Sequence, residues 1–191
     1  MTDPSPPALL RPVRADARDT QAVLAAFGSA PDMARQGDVT DLRTAREQLT
    51  WLTAEDRIAT AVTTEEDLLV GLVGISVDRT NRTGWFFYWL HAEHRCRGLM
   101  TCAARSVADR ALAPEPEGWG LERLELGHRV NNPASGAVAR AAGFVHEGTE
   151  REKFLIDGHR IDALGYGRLA SDPSPDGPRL PWAPDADTLE A

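Results

Sequence analysis

The chain has only two cysteines, Cys96 and Cys102, among its 191 residues. Two thiols cannot form the dense disulfide framework that stabilises small secreted domains, so we expect a protein of the reducing cytoplasm. No apolar run approaches the ~20 residues that a membrane-spanning helix needs, and residues 1–15 lack the pattern of a secretory signal. The five histidines contain no pair at the spacing of a helical metal site, so we expect no metal.

The charge balance is acidic, with a formal net charge of −8 at pH 7. Such a chain is a poor partner for nucleic acid, whose binding depends on attraction to phosphates. An acidic surface instead favours cationic partners such as amines or basic peptides, although many proteins are acidic simply to stay soluble. The length suits one domain, which we place at residues 1–170 and follow with a tail, residues 171–191. Five prolines and five acidic residues predict that this tail is flexible.

Hydrophobic periodicity and turn residues predict the order strand, two helices, three strands, helix, strand, helix and two strands. Strand–helix–strand units imply parallel neighbours, whereas the predicted meander and the final hairpin imply antiparallel ones. The expected fold is α/β (α+β), with helices covering a mixed sheet. The predicted strands are Leu9–Arg14, Ile58–Thr63, Leu68–Asp78, Gly84–His91, Leu121–Val130, Phe144–Ile156 and Ile161–Leu169. The predicted helices are Asp16–Phe27, Leu42–Ala54, Leu99–Leu112 and a helix from Asn132 and Pro133 to Gly143.

The turn HRCRGLMT, residues 94–101, lies between the most aromatic predicted strand and an amphipathic helix. A helix N-terminus offers unpaired N–H groups and the positive end of the helix dipole. Gly98 lets a ligand approach the backbone, and Arg95 and Arg97 add positive charge, so the turn can hold a diphosphate. A basic strand-to-helix turn without any ligand explains the same residues.

A second segment, NNPASGAVARAAGF, begins another helix, with Asn132 as the N-cap and Pro133 at the first helical position. Ser135 follows three residues after the cap, which brings its hydroxyl close to the mouth of the helix. Helix capping alone also accounts for the Asn, Pro and Ser of this segment.

These two motifs and three further ones occur in an order that resembles the GNAT superfamily of acetyltransferases. They are the strand YWL, the turn RCRGLMT, the N-x-x-S helix start, the stretch G-F-x-x-E-G at 143–148 and the hairpin DGHRIDALGY. The resemblance covers residues 8–170 and is strongest to the ribosomal-protein-serine N-acetyltransferase branch. It implies the GNAT fold, a mixed central sheet of about seven strands with a V-shaped split between two parallel strands, flanked by about four helices.

The resemblance also implies an acetyl-CoA site. The backbone of Leu90 and His91, in a strand that is usually bulged in this family, would bind the pantetheine. Asn132 would contact the cofactor arm, and Ser135 would protonate the departing thiolate. Met100 stands where superfamily members often have Gly or Ala, a departure that the nearer branch tolerates. The implied diphosphate site comprises Arg95, Arg97, Gly98, Leu99, Met100 and Thr101.

The resemblance places a general base on the strand before the final hairpin turn. The nearer branch has a glutamate there, and the matching position in this chain is Phe154. Glu152 lies two residues away, an offset that keeps the same face of a strand, and is therefore the candidate catalytic base. His91 and His128 are alternative bases.

We expect the acceptor site on the far side of the thioester, formed by the loop 29–41, the second helix and the final hairpin. Apolar side chains in these segments are candidate walls, and acidic ones are candidates for attracting a cation. The candidate walls are Met33, Trp51, Trp85 and Phe154, and the candidate acids are Asp32, Asp38 and Asp41. Each of them is equally consistent with an ordinary core or surface position.

Three functions are open at this point. The nearest branch implies transfer of an acetyl group from acetyl-CoA to the N-terminal α-amine of a protein or peptide. The acceptor is otherwise a small-molecule amine, such as an antibiotic, a polyamine or an amino-acid derivative, or the chain binds CoA without catalysis. For an α-amine of pKa ~7.8, the neutral form at pH 7 amounts to roughly one-sixth of the protonated form, so a weak base suffices. Analogy with the family suggests a homodimer. The sequence itself contains no pattern that indicates one.

Overall fold

The computed structural model of the chain describes residues 8–184. Within these residues, seven strands form one sheet, accompanied by four α-helices and two short 3-10 helices, Pro31–Arg35 and Ala92–His94. The strands are β1 Ala8–Pro12, β2 Arg57–Thr64, β3 Leu69–Asp78, β4 Thr83–Leu90, β5 Arg123–Arg129, β6 Val145–Ile156 and β7 His159–Leu169. The helices are α1 Ala17–Gly28, α2 Leu42–Leu52, α3 Leu99–Leu112 and α4 Pro133–Ala141. The predicted order of elements is confirmed, and α3 has the predicted bounds.

The order of strands in the sheet is β1-β2-β3-β4-β5-β7-β6. Strands β4 and β5 are parallel, and the other neighbouring pairs are antiparallel. The parallel pairing covers only Thr83–Trp85 against Arg123–Glu125, and beyond it the two strands separate. The predicted mixed sheet with a split between two parallel strands is therefore confirmed. The register of β4 against β3 is continuous, so the predicted bulge in this strand does not occur in that ladder.

Helices cover both faces of the sheet. Helices α1 and α2 pack on one face, where Val23, Leu49 and Leu72 are fully buried. Helices α3 and α4 pack on the other face, where Phe86 and Val107 belong to the larger core. No helix within residues 8–184 is long and apolar enough to cross a membrane. Packing on both faces holds the strands in place up to the split, so the separated ends of β4 and β5 form a cleft with fixed walls.

Residues 171–184, which belong to the tail whose composition predicts flexibility, pack against the domain. The Leu180 side chain is only 2% exposed, and the Ser106 hydroxyl accepts a hydrogen bond from the Leu180 amide at 2.9 Å. The backbone around Trp182 pairs with Leu10 of β1, because the Leu10 amide donates to Pro181 and the Ala183 amide donates to Leu10. The composition alone does not show that Leu180 and Trp182 anchor this segment. Residues 185–191 of the predicted tail lie outside the described residues.

Candidate active site

The split exposes backbone groups of β4 that no strand covers. The His91 amide donates to the Val70 carbonyl at 2.8 Å, which shows which residues of β4 direct their backbone groups towards β3. In an antiparallel pair, alternate residues direct their N–H and C=O groups to opposite sides. Tyr88 and Leu90 therefore direct theirs towards β5, whose pairing with β4 has already ended at Trp85. An extended polar chain can bind along this edge of β4 as a short extra strand does.

Of the two predicted pantetheine contacts, Leu90 has the suitable geometry and His91 does not. The His91 amide is hydrogen-bonded to β3, and the His91 carbonyl accepts a hydrogen bond from the His94 amide at 3.0 Å. The Leu90 amide faces the split, although its carbonyl accepts a hydrogen bond from Arg95 Nε at 3.1 Å. The register accounts for this difference, because neighbouring residues of one strand direct their backbone groups to opposite sides.

A pair of hydroxyl groups spans the split. The Tyr88 hydroxyl on β4 donates to the carbonyl oxygen of Ser135 at 2.7 Å and lies 3.0 Å from its Oγ. Ser135 is in the first turn of α4, where its amide donates to the side chain of the N-cap Asn132 at 3.3 Å. The predicted helix start at Asn132 is confirmed, and its side-chain Oδ1 accepts the capping hydrogen bond.

Burial raises the pKa of Tyr88 to about 12, an effect that the hydrogen bond with Ser135 partly opposes. Tyr88 is therefore a neutral hydroxyl at physiological pH and can only donate or accept a hydrogen bond. It was not among the predicted site residues. The available signal was its place in the YWL strand, two residues before Leu90 and hence on the same side of β4.

His128 on β5 presents a ring nitrogen without a partner. Its Nδ1 lies 2.9 Å from the Arg129 carbonyl oxygen, and because a carbonyl only accepts, this contact assigns the proton of the neutral ring to Nδ1. The Nε2 atom then carries the lone pair, and within the described residues it is buried with no hydrogen-bond partner. Gly136 makes room for the ring, since a Cβ at that position would lie 2.6 Å from Nε2. Of the three predicted bases, His128 is the one that lies beside the split.

A cavity of about 180 Å³ opens at the split. Its aromatic lining consists of Trp85, Phe86, Phe87, Tyr88 and Phe154. Its polar lining consists of Arg35, Gln36, His128, Arg129, Asn132 and Ser135. None of the described residues that line it is an aspartate or a glutamate.

The predicted apolar walls of the acceptor site divide into two groups. Trp85 and Phe154 line the cavity at the split. Met33 is a core residue, only 2% exposed, under the helices α1 and α2. Trp51 lies outside the cavity lining, where its ring contacts Phe87 at 5.6 Å between centroids. Met33 thus belongs to the core and Trp51 is 43% exposed, a distinction that depends on tertiary packing.

Glu152 is exposed and does not line the cavity. The β6–β7 ladder shifts register between Glu150 and Phe154, and Glu152 has a left-handed backbone with φ of 55°. The two-residue offset from Phe154 was expected to preserve the face, but this rule holds only in an unbulged strand. The bulge therefore removes the argument that selected Glu152 as the base.

The predicted acids of the acceptor loop are also engaged elsewhere or exposed. Asp32 forms an ion pair with Arg95 at 2.9 Å, and Asp41 caps α2 through the Thr44 amide at 2.7 Å. Asp38 is exposed and does not line the cavity. The loop instead contributes Arg35 and Gln36 to the lining, which sequence reasoning missed.

The turn before α3 has the shape expected of an anion site. Gly98 is the N-cap with a left-handed φ of 73°, and no side chain caps the first turn of the helix. Leu99 and Met100 are buried, but their amides belong to this uncapped turn. A Cβ at Gly98 would meet nothing within 4 Å, so the space in front of the turn is open. The amides at 99–101 are therefore available to a bound anion.

The two arginines of this turn differ. Arg95 is held by Asp32 and by the Leu90 carbonyl, so its charge is already balanced. Arg97 is exposed, has no ion-pair partner within residues 8–184, and lines a second cavity of about 240 Å³ beside the turn. The positive charge offered to a ligand at this turn therefore comes from Arg97 and the helix N-terminus. Across the same range, no group of three or more His, Cys, Asp or Glu residues is arranged to hold a metal ion.

Comparison with known proteins matches the sequence of this chain to one family. The family described as "Acetyltransferase (GNAT) domain" matches residues 8–145. The ribosomal-protein-serine acetyltransferase of Escherichia coli (strain K12) is 29% identical over 106 residues, or 55% of this chain and 57% of that protein. The chain spans little more than half the length of the curated relatives that it matches.

Solved structures share the fold. A RimL ribosomal L7/L12 alpha-N-protein acetyltransferase in complex with coenzyme A has a TM-score of 0.69 at 19% identity, covering 84% of this chain and 92% of that one. A spermidine N-acetyltransferase SpeG chimera from Vibrio cholerae and hSSAT has a TM-score of 0.70 at 22% identity, covering 86% of this chain and 96% of that one. At these identities the likeness is one of fold alone.

Proposed function

The chain belongs to the acetyltransferase (GNAT) domain family, and from this premise we propose that it acetylates the N-terminal α-amine of a protein or peptide, with acetyl-CoA as donor. The observation that carries the proposal is the split between β4 and β5, with Tyr88 and Ser135 meeting across it. It supplies an unpaired strand edge for the donor, and a hydroxyl where the thioester would lie. The complex of coenzyme A with RimL, a protein of the same fold, supports this choice of donor.

The donor site follows the features already described. The diphosphate would bind the uncapped turn, where Arg97 and the backbone of Gly98, Leu99, Met100 and Thr101 offer positive charge and N–H donors. The pantetheine amides would pair with the β4 edge at Tyr88 and Leu90. Arg95 would act indirectly, by holding the loop that carries Asp32 against the end of β4.

The reaction would be a direct transfer. The neutral amine attacks the thioester carbonyl, so that a C–N bond forms and the C–S bond breaks, and the ammonium proton leaves to solvent. The Ser135 hydroxyl protonates the departing thiolate and takes a proton back from solvent, which replaces the one that the ammonium released. Since the proton of Tyr88 is used on the Ser135 carbonyl, Ser135 Oγ–H points at the Tyr88 oxygen and rotates about one bond to reach the sulfur.

An α-amine suits a cavity without carboxylates. Deprotonating a lysine-type amine of pKa ~10.4 at pH 7 costs roughly 4–5 kcal/mol, against about 1 kcal/mol for an α-amine of pKa ~7.8. The described lining offers no carboxylate base, and its one imidazole, His128, has Nε2 buried. The proposal therefore favours an α-amine, because its deprotonation costs less free energy than that of a lysine-type amine. An amino-acid derivative is the small-molecule alternative that shares this cavity chemistry.

The proposal includes the cytoplasm as location, with which the free thiols of Cys96 and Cys102 agree. It also keeps the catalytic domain within residues 1–170, with residues 171–184 packed on it as an extension. The homodimer stays a prediction from analogy.

The test combines titration and turnover. Isothermal titration with acetyl-CoA is expected to show binding, and thiol release is expected with a peptide whose N-terminus is free. Mass spectrometry should place the acetyl group on that terminus. The matched control is the same peptide with a blocked N-terminus and an internal lysine, which should not react. Acetylation of the lysine or of spermidine alone would contradict the α-amine assignment, and no binding at millimolar acetyl-CoA would refute the acetyl donor itself.

A further inference from the structure

Two arginines line the cavity at the split, and none of the described residues that line it is a carboxylate to balance them. Arg35 projects from the end of the 3-10 helix Pro31–Arg35, and Arg129 is the last residue of β5. Neither has an ion-pair partner within residues 8–184, whereas nearby Arg95 and Arg123 are both paired with carboxylates. These two guanidinium groups are therefore the unbalanced charges of the cavity.

Arg129 is also held in position. Its guanidinium carbon lies 5.0 Å from the centre of the Phe154 ring, and the residue is half-buried. A guanidinium stacked on an aromatic ring keeps its N–H edge free for a planar anion. Arg35 is exposed on the loop between α1 and α2, which also lines the cavity, so it is free to approach a ligand.

This arrangement contrasts with the rest of the chain. The sequence has 29 acidic and 21 basic residues, yet the described lining of the cavity carries two arginines and no acid. Unbalanced guanidinium groups repel a polycation and attract a carboxylate, which they bind through paired hydrogen bonds. The cavity is thus opposite in charge to the chain as a whole.

We propose that Arg35 and Arg129 form an anion subsite, so that the preferred acceptor carries a carboxylate beside its reacting α-amine. The class of acceptor is a peptide with an acidic residue directly after its N-terminal residue. This inference rests on the proposed function and names the acceptor within it. The same two cations also disfavour the protonated form of a bound amine, which increases the fraction able to attack the thioester.

The experiment compares three peptides that differ only at the second residue, Ser-Glu, Ser-Gln and Ser-Lys, in the thiol-release assay. The variants are the double change Arg35→Gln/Arg129→Gln, the charge-conserving Arg129→Lys and the matched control Arg46→Gln. Arg46 is exposed on α2, does not line the cavity and has no ion-pair partner within residues 8–184. Free glutamate and glutamine serve as amines that separate a small-molecule acceptor from a peptide.

The unaltered chain is expected to show a kcat/KM about tenfold higher for Ser-Glu than for Ser-Gln, mainly through KM, as for one charge-assisted contact. Ser-Lys should be the poorest of the three. The double variant should remove the advantage of Ser-Glu, Arg129→Lys should keep part of it, and Arg46→Gln should keep all of it. If free glutamate is preferred over free glutamine while the peptides show no such preference, the peptide assignment is wrong and the acceptor is a small molecule.

Equal kcat/KM for Ser-Glu and Ser-Gln, or a preference that survives in the double variant, would overturn the subsite while leaving the proposed function intact. A uniform loss with all three peptides would show that the arginines act on structure. If no peptide is acetylated, the proposed function fails, and the subsite is then tested by titrating the N-acetylated peptides in the presence of CoA. In that titration, tighter binding of the Glu peptide supports the subsite, and equal binding refutes it.

Discussion

Removal of the Tyr88 hydroxyl tests the contact on which the proposed chemistry depends. Tyr88→Phe keeps the aromatic ring in the cavity wall but deletes the donor to the Ser135 carbonyl and the contact with Ser135 Oγ. Each hydrogen bond of this kind contributes about 1 kcal/mol. Loss of the two removes the direct tether between β4 and the first turn of α4, and Ser135 becomes free to take other rotamers.

We expect kcat to fall about fivefold to thirtyfold, which corresponds to about 1–2 kcal/mol of lost positioning. The shape of the pH–rate profile between pH 6 and 10 should not change, because the pKa of Tyr88 is raised to about 12 and the hydroxyl stays neutral there. Binding of acetyl-CoA should be nearly unchanged, since the side-chain hydroxyl does not form the strand edge. The matched variant Ser135→Ala should likewise lower turnover and leave donor affinity intact.

The pKa of Tyr88 also has a consequence for stability. Its folded-state pKa of about 12 exceeds the ordinary value of 10.0. The neutral form is therefore favoured by folding, and the stability that this provides is complete below pH 10 and is lost as the pH rises through 12. Two pKa units correspond to at most about 2.7 kcal/mol. The unaltered chain should lose up to that much more stability than Tyr88→Phe between pH 10 and 12, as measured by urea unfolding.

The assay is a double-mutant cycle with Tyr88→Phe, Ser135→Ala and the combined variant, measured by thiol release and by acetyl-CoA titration. If the hydroxyls act as a pair, the combined variant should be little worse than either single one. A kcat for Tyr88→Phe within twofold of the unaltered value would refute the reasoning. Strictly multiplicative effects would show that the two hydroxyls act separately, even though they lie 3.0 Å apart.

The remaining predictions concern the packed extension and the anion turn. Leu180→Ala should lower the free energy of unfolding by about 3 kcal/mol and Tm by roughly 6–12 °C, because it empties a buried site, whereas the same deletion at the exposed Leu155 should cost below about 1 kcal/mol. Similar melting curves for the two variants would contradict the docking of residues 171–184. Arg97→Gln should raise the Kd for acetyl-CoA about fivefold at low salt, less at high salt, in isothermal titration. An unchanged Kd would remove Arg97 from the donor site.

The donor half of the site could be predicted from local sequence because its determinants are local. Gly98 begins α3 in the left-handed conformation that the turn requires, and Asn132 caps α4 through the Ser135 amide, three residues along the chain. Such features depend on residues within one turn of each other, so a short sequence motif contains all the residues that determine them. Chain order also predicts that β4 and β5 are parallel, since a helix connects them, whereas the split between them was implied only by the family resemblance.

The acceptor half could not be predicted in the same way, because its determinants are distant in sequence. Arg35, Arg129 and Phe154 come from a loop, a strand end and a hairpin that meet only in the folded chain. The alternation rule placed Glu152 on the face of Phe154, and a bulge between them cancelled the rule. Met33 was assigned to a wall because it is apolar, yet it is buried in the core.

The sheet topology explains why the two halves nevertheless meet. Parallel strands end at the same edge of a sheet, so β4 and β5 place the N-termini of α3 and α4 side by side. The first helix presents uncapped amides, to which we assign the diphosphate, and the second brings Ser135 to Tyr88. Parallel pairing that stops after Trp85 then separates the strands and opens the edge between the two helix ends. Under the proposed function the donor would enter by this opening, and the charged side chains that meet the acceptor there would be the two arginines, since the described lining contains no acid.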